Sequence, residues 1–78
     1  MKIRFSNHLV GAVIDRFGRN TIIIKDGDEH FTATVNAVVS GHFLAWVFAF
    51  GNEAEIISPE SVREEMKAHT DAVLKKYI

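Results

Sequence analysis

The side chains best suited to metal or acid–base chemistry in this sequence are its four histidines, His8, His30, His42 and His69. A helical metal site places two histidines one turn apart on the same face, and no pair here has that spacing. The histidines also fall on different predicted elements, and the chain has no cysteine to supply a thiolate ligand or a disulfide. The sequence therefore predicts no metal site and no cofactor.

Other patterns associated with catalysis are also missing from the chain. We find no serine–histidine–aspartate or cysteine–histidine arrangement, no glycine-rich phosphate loop and no paired carboxylates. The acidic stretch Asp26-Gly27-Asp28-Glu29 lacks the ligand pattern of an EF-hand loop and is better explained as a turn. We therefore expect a non-enzymatic protein with no catalytic residues.

Length and composition limit the classes of protein that remain. A chain of 78 residues permits one domain, and a hydrophobic content of 47% is enough for a core. The formal net charge of −1 argues against a surface for nucleic acid or anionic lipid. The longest apolar run is far shorter than the ~20 residues that span a bilayer, and the first residues lack the pattern of a signal peptide. We expect a cytoplasmic protein that does not contact a membrane.

Apolar spacing along the chain predicts the element order strand, helix, strand, strand, helix, strand, helix. The predicted strands lie at 2–5, 21–24, 30–37 and 53–57, and the predicted helices lie at 9–17, 43–50 and 59–77. The first six elements follow the split βαβ, or ferredoxin-like, plan. We therefore predict an α+β fold: a ferredoxin-like βαββαβ with a four-stranded antiparallel sheet, strands one and three in its centre, plus an additional C-terminal helix.

Caps and glycines indicate where the helices begin and end. Ser40 can cap the second helix, and Gly51 can adopt the left-handed conformation just past its end. Ser58 is expected to cap the last helix, with Pro59 at the first helical position. Gly11 is a poor helix former inside the first helix, and we expect close packing against the sheet to explain it.

The most apolar stretch is the run of eight residues from Phe43 to Phe50, which includes the only tryptophan. As a helix this run is apolar on nearly every side, so more than one layer must cover it. The last helix carries a second apolar stripe, and the outer face of the sheet is expected to be too polar to cover it. We therefore predict a homodimer through the second or third helix. The predicted interface residues are Phe43, Trp46, Val47, Phe50, Val62, Met66, Val73 and Tyr77.

The outward positions of the predicted sheet carry polar side chains. These are Lys2, Arg4, His30, Thr32, Thr34, Asn36, Glu53 and Glu55. The candidate ligand-binding residues among them are Arg4, His30, Thr32 and Asn36, and the alternative is an ordinary solvated sheet. An RNA-recognition motif has the same element order, but it exposes aromatic rings on strands one and three. Phe5 and Phe31 fall on the inward phase here, which disfavours that class.

Several segments in combination resemble one known family, although no single segment is specific. They are Lys2-Ile3-Arg4-Phe5, the helix Phe43-Leu44-Ala45-Trp46 through Phe50-Gly51, Glu55-Ile56-Ile57-Ser58-Pro59-Glu60, and Lys76-Tyr77. This pattern is similar to the C-terminal extension (WCX) domain of WYL-domain transcriptional regulators. The resemblance covers nearly the whole of residues 1–78.

The resemblance implies that residues 1–78 form a single regulatory domain, a fragment of a larger bacterial regulator. In that family an N-terminal winged helix-turn-helix precedes a WYL domain with an SH3-like barrel. This sequence has neither a recognition-helix pattern nor a Trp-Tyr-Leu tripeptide, so DNA contact is expected only through an N-terminal domain outside it. For this piece the resemblance implies oligomerisation and the sensing of an effector, either a small molecule or a nucleotide of unknown identity.

Two other classes share the predicted fold. A free-standing ACT-like domain, which binds small molecules at subunit interfaces, is the alternative to the regulator fragment. An acylphosphatase-like enzyme is disfavoured because no arginine-bearing phosphate loop follows the first strand.

Overall fold

The fold is an α+β arrangement of a four-stranded antiparallel sheet and three helices, and the computed structural model describes residues 1–78. The elements are β1 (Lys2–Ser6), α1 (Val10–Phe17), β2 (Ile22–Asp26), β3 (His30–Thr34), α2 (Gly41–Phe48), β4 (Ala54–Ser58) and α3 (Glu60–Leu74). Short 3-10 turns at Asn7–Leu9 and Gly51–Glu53 precede α1 and β4. This order confirms the predicted ferredoxin-like plan with an additional C-terminal helix.

Strand β1 lies in the centre of the sheet, beside β3 as predicted, in the order β2-β3-β1-β4. Its alternating sequence buries Ile3 and Phe5 completely and leaves the polar residues Lys2, Arg4 and Ser6 on the other face. Ile3 is paired with Ala33 on β3 and with Ile56 on β4. The register therefore collects the apolar residues of three strands on one inner face.

The core on this inner face is made of twelve buried residues, all of them apolar. Phe5 is at its centre, stacked on Phe31 with 5.5 Å between ring centroids. The rings of Trp46 and Phe50 meet the Phe5 ring edge-on at 6.1 and 6.2 Å. These contacts join the sheet to the α2 region, and Val13 of α1 is buried in the same cluster.

Helix α2 confirms that the aromatic run is helical. The backbone N–H of Phe43 donates to Ser40 Oγ at 3.2 Å, the predicted cap. The helix ends at Phe48, two residues before the end of the apolar run. Gly51 has a φ of 63°, the left-handed conformation expected of a glycine just after a helix.

Two local predictions were wrong. Gly11 is exposed, and a side chain at this position would meet nothing within 4 Å, so close packing does not explain this glycine. Ser58 is the last residue of β4, and Pro59 takes the N-cap position of α3 without a side-chain cap. The Pro59 carbonyl instead accepts hydrogen bonds from the N–H groups of Val62 and Arg63, at 3.1 and 3.3 Å.

The expectation of a uniformly polar outer face was also wrong at the edge strand β2. Ile22 and Ile24 are 59% and 60% exposed there, opposite Thr34 and Thr32 of β3. Ile23, opposite Ala33, turns to the inner face. A run of three isoleucines has no alternation in its sequence, so only the pairing register decides which of them is buried.

Candidate functional site

The outer face of the sheet brings together three of the four predicted ligand-binding residues. Arg4 on β1 is directly opposite Thr32 on β3, and His30 is two residues away along β3 on the same face. Asn36 is exposed two residues beyond the end of β3 and is not part of the paired sheet. The residues that share this face are therefore Arg4, His30 and Thr32.

Arg4 is already paired with two carboxylates on this face. Its Nε lies 2.7 Å from Asp26 Oδ2, and its guanidinium lies 3.6 Å from Glu55 Oε1. Thr32 Oγ1 also donates to Asp26 Oδ2, at 3.2 Å. The hydrogen bond from Arg4 lowers the pKa of Asp26 below its ordinary value, and Asp26 raises the pKa of Arg4. Arg4 is thus a neutralised cation and not a free anion-binding group.

The same chain of charges continues to α3 through Arg63. Its guanidinium lies 3.1 Å from Glu55 Oε2 and 3.5 Å from Glu60 Oε2, and it donates to the Ile56 carbonyl at 2.6 Å. Glu55 is therefore shared by Arg4 and Arg63. The sequence analysis did not identify Asp26 or Arg63 as members of this network. The strand order and the short connection between β4 and α3 bring these side chains together.

A groove of about 500 Å³ lies between α2, β4 and α3. Its apolar lining residues are Val47, Phe48, Ala54, Ile56 and Met66, and its charged ones are Glu55, Glu60, Arg63, Glu64 and Lys67. Arg63 is paired with Glu55 and Glu60, whereas Glu64 makes no ion pair within the chain. Lys67 makes no ion pair either, so the groove combines apolar lining residues with one free carboxylate and one free ammonium group.

Residues 1–74 match the family model of the WCX domain. The chain belongs to the WCX domain family. This confirms the resemblance drawn from the sequence, and the family indicates a regulatory domain. No curated protein and no solved structure matches the chain.

The predicted interface residues of this WCX domain fall into three groups. Phe43, Val47 and Val62 are 2%, 2% and 7% exposed, so they belong to the core of the chain itself and offer almost no surface to a partner. Trp46, Phe50 and Met66 are partly buried against the same core. Only Val73 and Tyr77 are exposed, at 39% and 83%.

The sequence analysis missed other exposed apolar side chains near the end of the WCX domain. Leu74 and Ile78 are 54% and 88% exposed, and Phe48 of α2 is 48% exposed beside His69 of α3. Leu74 was missed because it lies next to the stripe that the helical spacing picks out, and Phe48 because the whole aromatic run was expected to be covered. No helix of the domain is both long and apolar enough to cross a membrane.

We expect the pairing of Arg4 with Asp26 to make the stability of the WCX domain depend on pH in the acid range. Because the folded-state pKa of Asp26 is depressed, the pair stabilises the fold above the unfolded-state pKa and this contribution is lost as the pH falls through the folded-state value. Asp26→Asn should therefore destabilise the domain at neutral pH, and the difference from wild type should shrink on acidification. Urea unfolding at several pH values measures both. A constant difference at every pH would contradict the assignment.

Proposed function

We propose that this WCX domain is the non-enzymatic regulatory domain of a bacterial WYL-type transcriptional regulator and acts there by self-association. Family membership supports the regulatory role, and the exposed apolar end of α3 supports the self-association. In this proposal the regulator works in the cytoplasm, and DNA is contacted by another domain of the larger protein.

The observation that carries the self-association is the group of apolar side chains at the end of α3, which we call the α3 apolar end. It consists of Val73, Leu74, Tyr77 and Ile78. The chain measures 38 × 24 × 22 Å. Along α3 the exposed fraction rises from 7% at Val62 to 54% at Leu74, so the α3 apolar end lies outside the core. A contiguous apolar group exposed on so small a domain usually marks an interface, and a symmetric dimer is the commonest way to cover one.

Sedimentation equilibrium at micromolar concentration tests this proposal. The wild-type chain should form a homodimer, and Leu74→Glu should weaken the association roughly tenfold or more, because each dimer loses two buried leucine side chains. Val38→Glu is the matched control, since Val38 is 85% exposed in the connection between β3 and α2 and should leave the association unchanged. A wild-type chain that stays monomeric at every concentration would remove the proposal.

Effector sensing is the second part of the proposal, and its support is the family resemblance. A small molecule or nucleotide that bound the outer face through Arg4, His30 and Thr32 would compete with Asp26 and Glu55 for the Arg4 guanidinium. Isothermal titration calorimetry of the chain with nucleotides tests this part: we expect measurable binding, and no binding by any nucleotide would remove it.

A further inference from the structure

The face of α3 that lines the groove continues along the helix into the α3 apolar end. Arg63, Met66, Lys67 and Thr70 line the groove at successive helical spacings. The next positions in that series are Val73, Leu74 and Tyr77, and all three are exposed. One side of α3 therefore carries a groove in its first half and uncovered apolar side chains in its second half.

The α3 apolar end cannot enter the groove of its own chain. At 1.5 Å per residue, Leu74 lies about 6 Å beyond Thr70, the last groove residue of the helix. The N–H of Lys76 donates to the Val73 carbonyl at 3.1 Å, and the N–H of Tyr77 donates to the Leu74 carbonyl at 2.9 Å. These bonds continue the helical path, so Tyr77 is carried farther from the groove. A second copy of the chain, by contrast, carries an apolar segment of this kind that can reach the groove.

The charges on α3 are arranged for an antiparallel partner of the same sequence. Glu64 lies in the first half of the helix and Lys75 just past its end, and neither makes an ion pair within the chain. Helical geometry places these two residues on the same flank of α3, because eleven residues complete about three turns. When two such helices run antiparallel, the same flanks of both helices meet, and each Glu64 approaches the Lys75 of the other chain.

We propose that two copies of this domain associate through an antiparallel pair of α3 helices that cross near Thr70. Each chain inserts its Leu74 and Tyr77 into the groove between α2, β4 and α3 of the other, over Phe48 and Met66. Glu64 of each chain pairs with Lys75 of the other at the rim. This inference rests on the proposed self-association and specifies its surface, its orientation and its contacts.

Charge reversal with complementation tests the arrangement, by sedimentation equilibrium at low ionic strength, where surface pairs are least screened. Glu64→Lys and Lys75→Glu should each weaken self-association about tenfold, because both pairs in a homodimer then bring like charges together. An equimolar mixture of the two variants should recover the wild-type affinity, because the heterodimer contains one pair of opposite charges at each rim position, as in the wild type.

Exposed residues at the far edge of the sheet provide controls with the same change in net charge. Glu29→Lys and Arg19→Glu alter residues next to β2, whereas α3 packs against β4 at the opposite edge, so both variants should leave the association unchanged. If the wild type dimerises but the test and control variants behave alike, or the mixture does not recover, the antiparallel arrangement is overturned and the proposed self-association stands. If the wild type does not dimerise, both are overturned.

Discussion

Phe5→Ala should unfold most of the molecules of this domain or bring it close to that point. Phe5 is completely buried and is contacted by the rings of Phe31, Trp46 and Phe50. Truncating a buried phenylalanine to alanine costs about 3–5 kcal/mol, because the removed ring loses its transfer free energy and leaves a cavity. A domain of 78 residues has a total free energy of unfolding of about 4–12 kcal/mol. The expected loss is thus a large share of the whole.

Urea denaturation followed by circular dichroism measures this loss. Ile24→Ala is the control, because it truncates a large apolar side chain that is 60% exposed on the outer face of the sheet. The control should lose about 1 kcal/mol, since more than half of its side chain is already in water. A Phe5→Ala variant with a free energy of unfolding within 1 kcal/mol of the wild type would contradict the central place of Phe5 in the core.

Trp46→Ala should cost about 3 kcal/mol, the lower end of the range for a large aromatic residue, because the side chain is only partly buried. Its ring meets Phe17 and Phe50 edge-on, with centroid separations of 5.5 and 4.9 Å. The Arg16 guanidinium lies over the indole ring, 5.1 Å from its centroid. Trp46 thus joins α1 to the end of α2, and its removal should weaken the packing between these two parts of the fold.

Two measurements separate a packing role of Trp46 from an interface role. Circular dichroism gives the stability of Trp46→Ala and of the conservative control Trp46→Phe, which keeps an aromatic ring among Phe5, Phe17 and Phe50 and should lose much less. Sedimentation equilibrium gives the association constant of each folded variant. A Trp46→Ala chain with wild-type stability that no longer self-associates would assign Trp46 to an interface and contradict the packing role.

Several features of the fold could be predicted from residue types and their order alone. The alternation of Lys2–Phe5 places Ile3 and Phe5 on the buried face, and Ser40 caps the helix that contains the aromatic run. The order of the strands in the sheet could also be predicted, since right-handed crossovers leave few topologies for this succession of elements. Such features depend on local periodicity, on caps and on connection rules, and all three are visible in a single sequence.

The candidate sites were predicted less well than the fold, because they depend on contacts between residues that are distant in the sequence. The register of β2 against β3 decides that Ile22 and Ile24 face outward, and the strand order decides that Arg4 meets both Asp26 and Glu55. Periodicity cannot predict the register of β2 or the partners of Arg4. It specifies which residues share a face but not which partner covers that face.

For the predicted interface, too, the sequence pattern shows which residues share a face, and only the tertiary packing shows which of them are exposed. Helical spacing groups Val62, Met66 and Val73 on one side of α3, and Tyr77 follows past the end of the helix. The spacing does not show where along α3 the core of the protein ends. Packing against β4 and α2 decides this, because it buries Val62 and leaves Tyr77 exposed. A stripe of apolar residues indicates the need for burial, and whether the chain itself or a partner meets that need depends on the three-dimensional positions of all the other elements.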